Sequence, residues 1–194
     1  MASGALIIAA GFSRRFGSDK RIYKLGHDEP LLIATLRPYR RVFANVAVVV
    51  RSSDSEICRL VADRLGRSAP IVVPTDQAHL GMAASIADGV RALAAWDYLF
   101  LGLGDMPYVR AETLEQLKAR MDRARVARDP CIVVPMLADT PGHPVGFSRE
   151  FFAELIALTG DRGARSVIDG HASAVVRVAI DDPGIVTDID HPPM

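Results

Sequence analysis

The 194-residue sequence has little cysteine, no net charge and no long apolar run. Its two cysteines, Cys58 and Cys131, lie far apart and form no CxxC. That spacing excludes a zinc ribbon or dithiol redox motif and reads as two reduced, mostly buried thiols. Twenty-three basic residues balance twenty-three acidic ones. A nucleic-acid partner would favour a basic surface, so none is expected, although a local cluster of cations can still bind a small anion. No apolar stretch approaches the roughly 20 residues that span a bilayer. There is no basic leader region, and Ala5 to Ala10 is too short for a signal core. The expectation is a cytoplasmic protein with no membrane partner, folded as one domain over residues 1–194.

Several catalytic motifs are missing too. Five residues lie between Gly11 and Gly17 and Lys20 does not follow Gly17 directly, so the first loop is no Walker A motif. Gly11-Phe12-Ser13 lacks the second glycine of the dinucleotide fingerprint, and the final glycine of an esterase elbow is absent. No HExxH occurs among the five histidines.

What is present is a rhythm of short apolar runs and longer helical stretches. Ala5 to Ala10, Asn45 to Val50, Pro70 to Pro74, Tyr98 to Leu103 and Cys131 to Pro135 read as strands. They are continuous rather than alternating, as in strands covered on both faces. Pro144 to Phe147 and Ala174 to Ile180 are two later candidates. Helical patterns follow Ser53-Asp54 (Ile57, Leu60, Val61, Leu65), follow Gly81 (Met82, Ile86, Val90, Leu93) and span Ala111 to Ala127 (Leu114, Leu117, Met121). The β-α-β-α-β order implies an α/β three-layer sandwich with a mainly parallel sheet, and ligands in that class bind beyond the carboxyl ends of the strands. The loops after Ala10, Leu103 and Pro135 are the places to look.

The first of these, "LIIAAGFSRRFGSDK" (Leu6 to Lys20), mixes glycine with cations. Small residues at Ala9, Ala10, Gly11 and Ser13 let backbone amides approach a ligand, and Arg15 and Lys20 add charge suited to phosphate. Arg14 is expected nearer solvent. The other reading is a strand-to-helix turn with solvated cations. In "LGLGDMPYV", Asp105 sits directly after an apolar strand. A lone carboxylate there suits Mg²⁺, which uses one or two carboxylates plus substrate phosphates. It stands five residues before Arg110, too far for a simple helix cap. "TPGHPVGF" places His143 in a turn, as a ligand contact or as a structural histidine. "TGDRGARSVID" offers an anion-contacting arginine or a solvated helix start. Asp188 and Asp190 share one face of an extended tail, solvated unless the tail folds back to Asp105.

Together these stretches resemble the nucleotidyltransferases that make molybdenum-cofactor dinucleotides, the MobA-like NTP transferase domains, and are most similar to the CTP:molybdopterin cytidylyltransferase branch. Ile8 to Lys20 matches L-A-A-G-x-S-x-R-M-G-x-x-K, with Ile8 for leucine and Phe16 for methionine. Gly81-Met82-Ala83-Ala84-Ser85 resembles G-M-S-x-S, and Gly104 to Pro107 stands where the family has D-x-P. Gly142 to Val145 matches G-H-P-V, Gly160 to Arg165 matches G-D-x-G-A-R, and Asp188 to Pro192 resembles D-I-D-T-P. "LADTPG" (Leu137 to Gly142) replaces a glycine-rich stretch, and Met106 replaces the commoner glutamine.

The resemblance implies a Rossmann-like sandwich of the nucleotide-diphospho-sugar transferase type. It implies Mg²⁺ held by Asp105 with Asp190 or Asp188, and nucleotide contacts from Ala9, Ala10, Gly11, Ser13, Arg15, Lys20, Gly81, Ser85 and Asp105. Arg15, Lys20 and Asp105 take the catalytic roles. Acceptor contacts fall on Gly142, His143 and Arg165. The implied reaction joins CMP from CTP to the terminal phosphate of molybdopterin and releases pyrophosphate, with a molybdoenzyme as a further partner. The Ala9-Ala10 pair resembles the cytidine-using branch, where the guanosine-using branch reads A-G-G. Two other readings stand beside it: a transferase using GTP or another NTP with a different phosphorylated acceptor such as a sugar phosphate, and a nucleotide-binding module without turnover.

Overall fold

The computed structural model describes residues 2–160 and 163–192. Strand β1 (Ala2–Ile8) leads through a long loop to a small hairpin, β2 (Lys24–Leu25) and β3 (Glu29–Pro30), and then to helix α1 (Leu31–Val42). Next come β4 (Asn45–Arg51), α2 (Ser55–Leu65), β5 (Ile71–Thr75), α3 (Met82–Ala92), β6 (Trp96–Leu103) and α4 (Ala111–Ala127). The chain ends with β7 (Ile132–Leu137), β8 (Thr140–Pro141), β9 (Val145–Ser148), α5 (Phe152–Ile156), α6 (Arg165–Gly170) and β10 (Val175–Ala179). No described helix is long and apolar enough to cross a membrane.

The main sheet has the order β10-β7-β9-β6-β1-β4-β5, with β8 paired to β7. β1 pairs in parallel with both β4 and β6, whereas β9 runs antiparallel to β6 and β7. Successive β1 residues alternate between two cores. Ala5 and Ile7 pack with α1, α2 and α4, and Leu6 and Ile8 pack with α3, α5 and α6. The expected three layers and mainly parallel mixed sheet are therefore present. The chain winds outward from β1 through β4 and β5, then returns to the other side of β1 at β6. That reversal between β1 and β6 is where sheets of this type leave a crevice.

Three details differ from the sequence-based expectation. β1 ends at Ile8, not Ala10: the Ala9 amide still donates to the Val49 carbonyl at 2.9 Å, and the chain then leaves the sheet. Helix α1 went unpredicted, because Pro38 lies inside it and Pro30 stands where a capping side chain would be expected. Met82, expected on the inward stripe of α3, is 42% exposed, because it opens the helix at the crevice rather than over the core.

Candidate active site

The crevice is built where β1 and β6 end together. The Gly104 amide donates to the Ile8 carbonyl at 2.9 Å, and a methyl group at Gly104 would lie 2.9 Å from the Ala9 side chain. This contact sets Asp105 beside the mouth of the first loop. The loop folds back on itself through a bond from the Lys20 amide to Ser13 Oγ at 3.2 Å. Gly17 takes a φ of +78°, a conformation that costs glycine nothing. Phe16 is buried against Leu31 and Ile189 and pins the loop from below.

The C-terminal segment reaches the same place because it is fastened on the way. Asp182 accepts from the Arg110 amide at 2.9 Å and Thr113 Oγ1 at 2.7 Å, so it caps α4 from a distance. The His143 amide donates to the Ile185 carbonyl at 2.8 Å. Gly142 lies so close to that carbonyl that an added Cβ would sit 2.5 Å away. The Ile189 amide then donates to the Asp105 carbonyl at 3.0 Å. Asp188 and Asp190 therefore return to Asp105. One oxygen from each of the three carboxylates lies within 4.8 Å of the others.

Lys20 stands among them. Its ammonium donates to Asp105 Oδ2 at 2.7 Å, the Ile189 carbonyl at 3.1 Å and Asp190 Oδ1 at 3.1 Å. Burial alone would favour the neutral amine, but the Asp105 and Asp190 carboxylates outweigh it and raise the Lys20 pKa. Arg15 Nη1 donates to Asp190 Oδ2 at 2.8 Å from an exposed position. Lys20 and Arg15 together hold the Asp190 carboxyl below its usual range. Asp105 Oδ1 is buried with no hydrogen-bond partner. A buried carboxylate oxygen in that condition fits a hard cation, and three carboxylates within this span could hold Mg²⁺ or Mn²⁺ through oxygen.

A cavity of about 460 Å³ opens over these groups. Its walls include Ala9, Ala10, Gly11, Ser13, Arg15, Lys20, Gly81, Ser85, Asp105 and Asp190. Arg14, expected nearer solvent, is exposed but also lines this cavity. A second cavity of about 500 Å³ adjoins the first and shares Met82 and Leu103 with it. Gly142, His143 and Arg165 line this second cavity. Its floor is apolar, from Leu101, Val134, Val145 and Val175 on four different strands. Burial pushes the His143 pKa down, and its Nδ1 has no partner. Of the G-D-x-G-A-R stretch, Asp161 and Arg162 lie outside the described residues.

Sequence reasoning missed Asp182 and Arg177. Asp182-Pro183-Gly184 signals only the local turn, in which Asp182 accepts from the Gly184 amide at 2.9 Å; its tie to α4 had no local signal, because that helix lies some seventy residues earlier in the chain. Arg177 pairs in register with Val134, and both line the second cavity. Its charge within an otherwise apolar strand was the available signal.

The arrangement is two cavities meeting beside a carboxylate cluster, with a cationic loop over one of them. The profile of the MobA-like NTP transferase domain matches residues 5–175. The chain belongs to this family. It is accordingly a nucleotidyltransferase. Rv0371c from Mycobacterium tuberculosis H37Rv is 30% identical, with a TM-score of 0.76 over 98% of this chain and 94% of that one. A manganese complex of Rv0371c gives 25% identity and a TM-score of 0.68 over 93% and 89%. Molybdopterin-guanine dinucleotide biosynthesis protein A from Archaeoglobus fulgidus shares the fold, with a TM-score of 0.69 at 20% identity over 99% and 93%. Among curated proteins, the bifunctional protein GlmU of Ruegeria sp. (strain TM1040) is 29% identical over 126 residues. That match takes in 64% of this chain but 28% of the relative, so the chain spans little more than a quarter of it.

Proposed function

We propose that this MobA-like transferase joins CMP from CTP to the terminal phosphate of a molybdopterin-type acceptor, with a divalent cation held by Asp105, Asp190 and Asp188. The observation that carries this reading is the meeting of two cavities beside Asp105. One is lined by cations and loop amides, and the other has an apolar floor. The first suits a triphosphate. The second combines an apolar floor with polar groups at Asp139, His143, Arg165, Asp169 and Arg177, which suits a flat body with polar edges. Ala10, buried at the cavity wall, keeps the cytidine-type Ala9-Ala10 pair in contact with the nucleotide side.

An oxygen of the acceptor phosphate attacks the α-phosphorus. The new P–O bond forms as the bond to the β-phosphate oxygen breaks, and pyrophosphate leaves. The attacking oxygen is already anionic, so no protein nucleophile is required. Catalysis is positioning and charge neutralisation. Arg15, Lys20 and the amides around Gly11 to Ser13 would hold the departing pyrophosphate. Asp105, Asp188 and Asp190 would hold the cation, which supplies positive charge at the reacting phosphate. His143, kept neutral by burial, would donate or accept one hydrogen bond at the acceptor. The manganese complex of Rv0371c supports a divalent cation in this family member as well.

The test is pyrophosphate release from CTP, GTP, ATP and UTP, each with molybdopterin or a sugar phosphate, in Mg²⁺ or Mn²⁺. Release with CTP that depends on molybdopterin is expected. Dependence on GTP or on a sugar phosphate would replace the base or the acceptor assignment, and tight nucleotide binding without release would remove the turnover reading.

A further inference from the structure

The residue after Lys20 is a buried arginine whose donors are all used. Arg21 is 3% exposed. Its Nε donates to Asp19 Oδ1 at 2.8 Å, and Nη2 donates to Asp19 Oδ2 at 2.6 Å and Asp54 Oδ1 at 3.0 Å. Nη1 donates to the Ala9 carbonyl at 2.9 Å and to Asp54 Oδ2. A guanidinium has five N–H donors, and each one is accounted for. Asp54 in turn accepts from the Arg51 amide at 2.9 Å and from the Arg51 guanidinium. Two arginines and two aspartates thus form a neutral network. Arg21 adds no free charge and no free donor to the cavity it borders.

The attachment points of the network suggest its purpose. Ala9 is where the chain leaves β1, Asp54 lies between β4 and α2, and Asp19 directly precedes Lys20. Between Ala9 and Asp19 most of the loop is exposed, with Phe16 its buried anchor. Arg21 therefore joins both ends of the loop to the sheet. Buried ion pairs add little net stability against an apolar core, because desolvation offsets their attraction, so the contribution of this network lies in the geometry it imposes on the loop.

Resting on the reading of this loop as a phosphate cradle, we infer that Arg21 is a positioning residue for nucleotide binding: with Asp19 and Asp54 it clamps the two ends of the loop so that Lys20 and the loop amides face the phosphates. Lysine cannot replace it, since one point charge cannot span Asp19, Asp54 and the Ala9 carbonyl together.

The probe is inorganic pyrophosphate with Mg²⁺, measured by calorimetry on the full chain, which makes the test independent of base and acceptor. Arg21→Lys is expected to weaken pyrophosphate binding about ten- to a hundred-fold, as loss of an orienting partner commonly does. Asp19→Asn, on the half-exposed side of the clamp, should weaken it less while keeping the fold. Tyr98→Phe is the control for general destabilisation: it breaks the 2.8 Å bond to Asp122 near the start of β6, at the opposite end from the site. It should lower the melting midpoint with pyrophosphate affinity unchanged. The inference is overturned if folded Arg21→Lys binds pyrophosphate like wild type. If that variant does not fold, wild-type affinity in Asp19→Asn overturns it. Failure of the wild type itself to bind pyrophosphate would instead overturn the phosphate-cradle reading, and the clamp with it.

Discussion

The two cavities share a wall and differ in almost everything else. The first is made by loops. Arg14, Arg15 and Lys20 come from one short stretch, and Asp105 and Asp190 come from a strand end and the C-terminal tail. The second is made by strands with α3 and α6 over them, Leu101, Val134, Val145 and Val175 supplying its floor and Asp139, His143, Arg165, Asp169 and Arg177 its polar groups. Charge can be stabilised in the first because donors and carboxylates are fixed before the ligand arrives, which is what a transition state with moving charge requires. The second offers area and shape, which select a partner but do little for the rate once it is bound. Substitutions on the two sides should therefore separate rate and nucleotide affinity from acceptor affinity.

The sharpest break should come at Asp105. Asp105→Ala removes a carboxylate that belongs to the cation cluster, bonds Lys20 at 2.7 Å and holds the one cluster oxygen that is buried with no partner. Its turnover should fall by at least about 100- to 1000-fold, the usual loss for a charged contact in a dry site. The fold should survive, because Lys20 keeps the Ile189 carbonyl and Asp190, and the Ile189 amide bonds the Asp105 backbone rather than its side chain. Turnover and circular dichroism on one preparation decide it, and wild-type rates with Mg²⁺ would remove Asp105 from the mechanism. Lys20→Met should follow, with about a 100-fold loss of turnover. It should also move cation affinity in the direction opposite to Asp105→Ala, which removes a ligand. The Lys20 ammonium lies among the carboxylates that would bind the cation. Its removal should tighten Mn²⁺ binding without nucleotide by about tenfold, equivalent to about 1.4 kcal/mol, as measured by electron paramagnetic resonance. Unchanged Mn²⁺ affinity would mean that lysine and cation do not compete.

The same contrast explains what the sequence could reveal. The first cavity is legible because its groups lie within short stretches: Ala9 to Lys20, Gly81 to Ser85 and Gly104-Asp105 each carry small, cationic or acidic residues in a local pattern. The continuous apolar runs likewise announced a buried, mainly parallel sheet. The second cavity was legible at the Leu137 to His143 stretch, whose Asp139, Pro141, Gly142 and His143 line it, and at Arg165. Its floor consists of ordinary strand hydrophobics whose convergence depends on β9 inserting antiparallel between β6 and β7, and no local pattern records that. Asp54 shows the same limit. It stands at the start of α2, where a capping side chain is the local expectation, yet it makes no cap bond and instead holds Arg21 and Arg51.

Arg165→Ala tests the other side of the comparison with a smaller effect. The side chain is 73% exposed at the edge of the second cavity, 3.8 Å from Asp169. An exposed charged contact is worth about 1 kcal/mol at most, so acceptor KM should rise by up to about fivefold. Pyrophosphate affinity should not move. Equal changes in both would show that the cavities do not act separately.

The smallest effect concerns stability in acid, and it isolates the loop clamp from the rest of the site. Burial would raise the Asp54 pKa, but its bonds to Arg21 and Arg51 outweigh that and bring it to about 2, below the ordinary value of 3.8. A carboxyl depressed in the folded state stabilises the protein above the unfolded value and loses that contribution as pH falls through the folded one. The Asp54 contribution should therefore be intact at pH 5 and fade from about pH 4 towards pH 2. Asp54→Asn should be less stable than wild type at pH 7 and should lose less on acidification across that window. Urea midpoints at pH 7, 5, 4 and 3 give the comparison. Parallel curves would place the acid-sensitive stability in other carboxyls held low against burial, among them Asp182 at the α4 cap, bonded by the Arg110 amide and Thr113, and Asp122 beside Lys118. Converging curves would show that the ionised Asp54 carboxylate stabilises the clamp beneath the charged cradle, a dependence on charge that the apolar floor of the neighbouring cavity does not share.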